Sequence, residues 1–156
     1  MLRAKQSQPV FSAEGLRFAI VAGRYNQRYS DALVTRARRA LRMAGAKRGD
    51  VTVIRVPGAF EVPVVVSRLA SSGSYDAIIA LGVIIRGETE HADLIGRAVT
   101  DALTQIVLRD GVPVVHEVLL LGNEQQAHAR CLQPKHNRGT EAALTAIEMA
   151  HLMRTL

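Results

Sequence analysis

Residues 76–91 read DAIIALGVIIRGETEH, and this stretch decides the fold. Ala77 to Ile85 is the longest apolar run of the chain, and its nine residues are far fewer than the roughly 20 that a membrane-spanning helix needs. An apolar run of this length is typical of a strand that helices cover on both faces of a parallel sheet. A polar turn, Arg86 to Glu90, follows it and leads to His91 at the start of a helical pattern. We therefore expect a strand, a loop with a candidate site, and a helix.

The same alternation of strand and helix patterns extends along the chain in both directions. Strands are predicted at Leu16 to Ala22, Val51 to Val56, Asp76 to Ile85 and Val112 to Leu121. Helices are predicted from the N-cap pair Ser30-Asp31 to Ala44, from about Pro63 to Ala70, from Ala92 to Arg109, from Glu124 to Leu132 and from Gly139 to Arg154. The order βαβαβαβαα predicts an α/β protein of the flavodoxin-like type, in which an open parallel four-stranded sheet has helices on both faces and forms three layers.

Two of these helices carry informative apolar faces. The third has two adjacent apolar stripes, which predicts one side against the sheet and another against a partner subunit. The last is expected to face inward with Ala142, Ala143, Ala146, Ile147, Ala150 and Met153.

Length and composition predict one domain, residues 15–156, preceded by an arm, residues 1–14, that can add a strand to a neighbouring subunit. The first ten residues lack the apolar stretch of a signal peptide, so we expect a cytoplasmic protein without a membrane segment. The single cysteine, Cys131, excludes an intramolecular disulfide and is interpreted as a small semi-buried hydrophobic residue rather than a catalytic thiol.

The net charge of +6 raises the possibility of a nucleic-acid partner. Four of the cations, Arg36, Arg38, Arg39 and Arg42, lie on one predicted helix and are interpreted as a solvated face. Aromatic residues make up only 4% of the chain, which leaves few surfaces on which bases could stack. We therefore predict no nucleic-acid partner and favour an acidic small molecule, such as a phosphate ester; a basic nucleic-acid binder stays the less favoured alternative.

Three loops follow strand ends and are expected at one edge of the sheet, because right-handed crossovers place them there. They are residues 23–26, 57–61 and 86–91. His91 lies where all three could reach it, and an imidazole, with an unperturbed pKa near 6.5, transfers protons at neutral pH. A structural or merely exposed histidine is the alternative.

Most other candidate residues have two interpretations each. Thr89 could cap the third helix, bind phosphate, or do both. Tyr25 could pack in the core or stack on a planar ligand, and Glu61 could cap a turn or accept from hydroxyl groups. Arg130 and Arg138 could be surface charges or a bidentate phosphate clamp. The chain has no Walker loop, GxGxxG, HExxH or CxxC motif, so nucleoside triphosphates, dinucleotides and zinc are not its expected ligands.

At these residues the chain resembles the lumazine synthase family. The resemblance runs in order from about Phe18 to Met153, and two segments carry most of it. They are VPGAFEVP at residues 56–63 and VIIRGETEH at residues 83–91, supported by RYN at 24–26, YDAIIALG at 75–82, GVPV at 111–114, EQQA at 124–127 and NRG at 137–139.

The resemblance implies a transferase of riboflavin biosynthesis. It implies condensation of 5-amino-6-ribitylamino-uracil with 3,4-dihydroxy-2-butanone 4-phosphate to 6,7-dimethyl-8-ribityllumazine, with release of phosphate and water and with no cofactor or metal. His91 would be the catalytic proton shuttle. The substrate-binding residues would be Tyr25, Ala59, Phe60, Glu61, Val83, Ile84, Ile85, His116 and Arg138, and the phosphate-binding residues Gly87, Glu88, Thr89 and Arg130. The family forms homopentamers with sites between subunits, and some members assemble twelve pentamers into a shell.

The sequence departs from the family pattern at several positions. Ala92 and His116 stand where aromatic residues are usual, Arg138 replaces a lysine, and residues 119–121 and 133–136 also differ. Ala92 and His116 keep open an alternative function, a binding module that holds a flavin or lumazine without turnover.

Overall fold

The computed structural model describes residues 10–156 as one parallel sheet with helices on both faces, which confirms the predicted fold class. The strands are β1 (Phe18–Gly23), β2 (Val51–Val56), β3 (Ala77–Ile85) and β4 (Val114–Leu121), in the order β2-β1-β3-β4. The helices are α1 (Gln27–Met43), α2 (Val62–Ala70), α3 (His91–Asp110), α4 (Glu124–Ala127) and α5 (Arg138–Thr155). Short 3₁₀ turns lie at Arg48–Asp50 and Ala59–Glu61, and a π-helical turn at His128–Leu132 extends α4.

The core consists of two apolar layers, one on each face of the sheet. Helices α1 and α5 pack on one face, and α2 and α3 pack on the other. Alternate residues of the central strands point into each layer, as Phe18 and Ile20 do on one side and Ala19 and Val21 on the other. Strand β3 lies between β1 and β4, so both of its faces are covered, which is the physical reason for its unbroken apolar sequence.

The predicted N-cap of α1 at Ser30-Asp31 is wrong. The helix begins one turn earlier, at Gln27, after Asn26 in the left-handed conformation with φ of 55°. The Ser30 hydroxyl is buried and donates to the carbonyl of Gly23, while Asp31 pairs with Arg55 of β2. Both side chains therefore bind tertiary partners, and these override the local preference for capping.

Helix α5 begins with a well-formed cap and packs closely on α1. The Asn137 side chain accepts from the backbone N–H groups of Gly139 at 3.0 Å and Thr140 at 3.2 Å and donates to the carbonyl of Cys131 at 2.7 Å. The inward-facing alanines and Ile147 are buried as predicted, but Met153 is 39% exposed, so its predicted inward position is wrong. Met153 lies in the last turns of α5, where the helix extends past the core.

The apolar residues of α3 are only partly covered in the isolated chain. Val99, Leu103 and Ile106 are buried against the sheet. On another side of the helix Leu94 is 62% exposed and Leu108 is 80% exposed. Charged and polar residues, among them Arg97 and Asp101, lie between these two leucines on the same side of the helix, so this side is not a continuous apolar surface.

Part of the predicted N-terminal arm lies on the chain's own domain. The methyl group of Ala13 is buried, and its backbone N–H donates to the carbonyl of Ala44 at 2.8 Å. The ring of Phe11 stacks on His151 of α5 with ring centroids 5.2 Å apart. Residues 1–9 lie outside the described residues, and so does any strand that they add to a neighbour. Among residues 10–156, no helix has the length and apolar character needed to cross a bilayer.

Cys131 is fully buried, where the sequence predicted a semi-buried residue, and burial raises the pKa of its thiol to about 11 from an ordinary value near 9. We expect this thiol to react with DTNB at pH 8 about a hundredfold more slowly in the native protein than in guanidinium, because a shift of about two units removes most of the thiolate. The folded state holds this proton more tightly than the unfolded state, so stability should also fall as pH rises from about 9 towards 11. Rapid labelling of one thiol per native chain would contradict both expectations.

Candidate active site

The three loops predicted to converge do so, at the carboxyl edge of the sheet. They enclose one open cleft of about 510 Å³. Its lining includes Tyr25, Asn26, Gly58, Ala59, Phe60, Glu61, Val83, Ile84, Ile85, Gly87, Thr89, His91, Ala92 and Ile95. Most of the residues assigned to substrate from the sequence therefore share one cavity, whereas Glu88, His116, Arg130 and Arg138 are not part of its lining.

One wall of the cleft depends on the absence of a side chain at Gly58. The ring of Tyr25, 70% exposed, lies so close that a Cβ atom on Gly58 would stand 2.5 Å from its Cδ2 and 2.7 Å from its Cε2. The backbone N–H of Tyr25 donates to the carbonyl of Pro57 at 3.1 Å, which joins the two loops. Tyr25 therefore presents an aromatic face to the cleft instead of packing in the core.

The Glu61 carboxylate organises its own loop. Its Oε2 atom accepts from the backbone N–H of Gly58 at 2.9 Å across the 3₁₀ turn. The capping interpretation is therefore borne out in the geometry, and because the residue also lines the cleft, the second carboxylate oxygen remains available for a ligand hydroxyl.

Asn26 is a cleft residue that the sequence analysis did not assign. Its Nδ2 atom donates to the carbonyl of Val83 at 2.7 Å and ties the loop after β1 to the end of β3. The signal for it was its neighbour Tyr25 in the same RYN segment, but nothing in the sequence showed that its amide would reach another strand.

The floor of the cleft is the end of β3. Val83 is almost fully buried, and Ile84 and Ile85 are partly buried. Ile85 is the last strand residue, and the backbone N–H of Arg86 donates to the carbonyl of Leu121 at 2.8 Å. The floor is therefore apolar and is joined to β4.

An ion pair shapes the loop between β3 and α3. The Arg86 guanidinium donates to both oxygens of Asp93, at 2.6 Å and 3.3 Å, and this holds the pKa of the Asp93 carboxyl below its ordinary value. The Thr89 hydroxyl accepts from the backbone N–H of His91 at 3.4 Å, a long capping contact. A Cβ atom on Gly87 would meet open space, so the loop presents its backbone to solvent beside the first turn of α3.

His91 is the first residue of α3, and its side chain is exposed where it lines the cleft. The buried methyl group of Ala92 lines the cleft next to it. No larger side chain therefore stands at position 92 to confine the imidazole.

His116 lies on the other side of α3, at the outer strand β4. The backbone N–H of Val118 donates to its Nδ1 atom at 3.1 Å, so Nε2 carries the proton and donates to Thr100 Oγ1 at 2.8 Å. Partial burial of the ring lowers its pKa. His116 is therefore a neutral imidazole on an outer surface of the chain and not a wall of its own cleft.

The two remaining arginines also lie away from the cleft lining. Arg138 Nη1 donates to Glu141 Oε2 at 2.8 Å, and its Nε atom lies 3.9 Å from Glu117 Oε2. Burial raises the pKa of Glu117, and the charge of Arg138 opposes that rise. Arg130 is exposed in the π-helical turn.

The cleft of a single chain thus offers an aromatic face, a carboxylate, a histidine and free backbone groups, but no lysine or arginine of the described residues lines it. Residues 10–156 also contain no group of three or more histidine, cysteine or acidic side chains placed to hold a metal ion. Proton transfer and binding of a planar, hydroxylated ligand fit this arrangement. Strong binding of phosphate needs a cation from elsewhere.

Comparison with known proteins gives matches along almost the whole chain. The model of the family described as 6,7-dimethyl-8-ribityllumazine synthase matches residues 15–154. A protein of that name from Chlorobium phaeobacteroides is 44% identical over 153 residues, which cover 98% of this chain and 99% of the relative. Proteins of the same name from Nitratidesulfovibrio vulgaris (strain Miyazaki F) and Chlorobium luteolum are 42% and 40% identical over 156 and 155 residues, covering at least 99% of both chains in each case.

Proposed function

The chain belongs to the 6,7-dimethyl-8-ribityllumazine synthase family, and we propose that it catalyses the condensation of 5-amino-6-ribitylamino-uracil with 3,4-dihydroxy-2-butanone 4-phosphate. It is an enzyme of riboflavin biosynthesis, a transferase, which confirms the resemblance seen in the sequence. The observation that carries the proposal is that the loops bearing the family segments meet in one cleft. The condensation releases phosphate and water and transfers no electron to the protein, so we propose that it requires no cofactor or metal.

We assign the ring and side chain of the pyrimidine substrate to the walls formed by the first two loops. The exposed face of Tyr25 would stack on the ring. The backbone of Ala59 and Phe60 and the carboxylate of Glu61 would bind the ribityl hydroxyls, and the end of β3, residues 83–85, would contact the ring edge. The family resemblance suggests these assignments, and the shared cavity, in which apolar surface surrounds a small number of polar groups, supports them.

We assign the butanone phosphate to the third loop. The backbone at Gly87 to Thr89 stands beside the first turn of α3, whose free N–H groups and helix dipole favour an anion. The amine of the pyrimidine substrate then attacks the ketone, and protons must move on and off carbon and oxygen as water and phosphate leave. His91 is the histidine in the cleft lining and is the proposed proton shuttle.

We further propose that the site is completed by a second copy of the chain in a homopentamer. The cleft of one chain is lined by no lysine or arginine of the described residues, and Arg130, Arg138 and His116 lie outside its lining. In this proposal they contribute to the cleft of a neighbouring chain. Leu94 and Leu108 of α3 are exposed in the isolated chain and would contact another copy in this proposal. We also propose that pentamers can assemble further into multiples of five chains and that the protein is located in the cytoplasm.

Turnover and complementation test this proposal together. Purified protein given both substrates should form a product with lumazine absorbance, and its solution mass should equal five chains or a multiple of five. We expect the His91→Ala protein and the Arg130→Ala protein each to be weakly active. When the two are unfolded, mixed and reassembled, activity should be recovered, because about a quarter of randomly formed interfaces would hold both native residues.

Recovery in the mixture requires that His91 and Arg130 of one site come from different chains. An active monomer, or a mixture no more active than its components, would contradict the shared site. Absence of turnover together with lumazine binding would instead favour the non-catalytic binding module, for which the small residue at position 92 is the supporting feature.

A substitution at Gly58 tests the assignment of Tyr25. We expect Gly58→Ala to raise KM for the pyrimidine substrate about tenfold, because the new Cβ would displace the exposed ring. The effect should be absent on a Tyr25→Ala background, where no ring remains to be displaced. Steady-state kinetics of the two single variants and the double variant provide the measurement. Equal effects of Gly58→Ala on both backgrounds would mean that it acts on the loop itself.

A further inference from the structure

The excess of basic over acidic residues in this protein comes from one segment. Residues 32–49 contain six lysines and arginines and no aspartate or glutamate. The whole chain has 20 basic and 14 acidic residues, so the remainder holds 14 of each and is balanced. The entire net charge of +6 therefore arises from the second half of α1 and the connection that follows it.

Four of these cations share a second cavity. Arg38, Arg42, Lys47 and Arg48 line a cleft of about 310 Å³, called here the arginine groove, whose other lining residues are Ala46 and Val51. The groove lies between the end of α1 and the first residue of β2, at the amino edge of the sheet. The cleft that contains His91 lies at the opposite, carboxyl edge, so the proposed condensation leaves these side chains without a role.

The cations of the arginine groove are not neutralised within residues 10–156. Every ion pair with an arginine in this part of the chain involves Arg55, Arg86, Arg109, Arg138 or Arg154. Glu14, which lies near Gly45, and Asp50, two residues after Arg48, form no ion pair within 4.0 Å with a cation of the groove.

The groove is not explained by helix stability. Arginines at positions 38 and 42 are one turn apart on one helix, where like charges repel each other and destabilise the helix. The helix dipole favours a cation in the last turn of α1, which accounts for Arg42. It does not account for Arg38, which lies a turn earlier, or for Lys47 and Arg48 in the connection.

We propose that the arginine groove binds a small oligophosphate, a group of two or three linked phosphates. Planar guanidinium groups bind phosphate oxygens in pairs, and several cations around one cavity match a ligand with several negative charges. A cavity of this size suits a compact group. No aromatic side chain lines the groove, so a nucleic acid would lack the stacking surface on which single-strand binding depends. The oligophosphate can be inorganic or part of a nucleotide, since the phosphates are the recognised feature.

Calorimetric titration of the assembled protein tests this proposal, with inorganic tripolyphosphate, ATP and inorganic phosphate as probes. Tripolyphosphate and ATP should each bind once per chain and inorganic phosphate much more weakly. Similar affinities for the first two would identify the phosphate chain as the ligand, and tighter binding of ATP would identify a nucleotide. Affinity should fall as NaCl rises from about 50 to 200 mM.

Two double variants that remove the same number of charges distinguish binding in the arginine groove from attraction by the net charge of the protein. Arg38→Ala with Arg42→Ala should weaken tripolyphosphate binding at least about tenfold, because it removes two groups that contact the ligand. Arg39→Ala with Arg68→Ala removes the same charge from exposed side chains outside the groove lining and should weaken binding about twofold or less. Circular dichroism should show both variants folded, and both should keep lumazine formation unchanged.

Equal losses in the two double variants would overturn the proposal, because binding would then follow net charge alone. Binding of a DNA duplex without binding of tripolyphosphate would overturn it in favour of a nucleic-acid surface. The test does not depend on the condensation activity, since binding is measured directly and a protein without turnover could still bind oligophosphate in the groove.

Discussion

Gly139→Ala is expected to destabilise the protein by about 3 kcal/mol or more, enough to leave much of it unfolded at 37 °C. A Cβ atom at this position would stand 2.4 Å from the carbonyl oxygen of Leu33 and 3.0 Å from its Cα atom. Both are backbone atoms of α1 in the core, so no side-chain rotation can relieve the contact. Either α5 moves away from α1 or the cap that Asn137 makes with the Gly139 N–H is broken.

Urea denaturation followed by circular dichroism measures this effect, with Gly49→Ala as the matched control. Gly49 lies in the turn before β2, where an added Cβ would meet no atom within 4 Å and the backbone does not adopt a positive φ. We expect its substitution to change stability by less than about 1 kcal/mol. A Gly139→Ala protein with the denaturation midpoint of the wild type would contradict the close packing of α1 and α5.

His91→Ala is expected to lower kcat about a hundredfold with little change in KM for the butanone phosphate. General acid-base catalysis by a positioned side chain contributes factors of roughly 10² to 10⁴. The imidazole is exposed at the mouth of the cleft and makes no side-chain hydrogen bond with residues 10–156, so its removal should leave the fold intact. His151→Ala is the matched control, since that histidine stacks on Phe11 near the far end of α5.

Arg130→Ala should have the opposite kinetic effect and mainly raise KM for the butanone phosphate. This outcome is expected if the guanidinium binds phosphate in both the ground state and the transition state. Steady-state kinetics with each substrate varied in turn separates the two variants. If both substitutions changed kcat and KM by similar factors, the division between a proton shuttle and a phosphate clamp would be wrong.

The sheet and the cleft were predictable because each depends on a short-range pattern. The apolar run of β3 could only be a covered strand, and right-handed crossovers then brought the loops after β1, β2 and β3 to one edge. Tyr25, Glu61 and His91 were found together for this reason. Asn26 was missed because its hydrogen bond to Val83 joins residues 57 positions apart.

The start of α1 and the inward position of Met153 in α5 were predicted wrongly for a related reason. Ser30 has the chemistry of an N-cap, but its hydroxyl donates to a carbonyl on β1 instead. Met153 has the spacing of the buried face, but the core ends before it. Local propensity and periodicity describe what a segment favours in isolation, and tertiary contacts decide whether that preference is used.

By itself the sequence determined the layered α/β architecture, the sheet edge that carries the cleft, and the family. These follow from hydrophobic periodicity and from motifs in which neighbouring residues act together. Only the tertiary structure decided that Arg130, Arg138 and His116 lie away from the cleft of their own chain, and that four cations of the α1 segment line one groove. The direction in which a side chain points depends on the packing of whole elements, and no local pattern in the sequence encodes that.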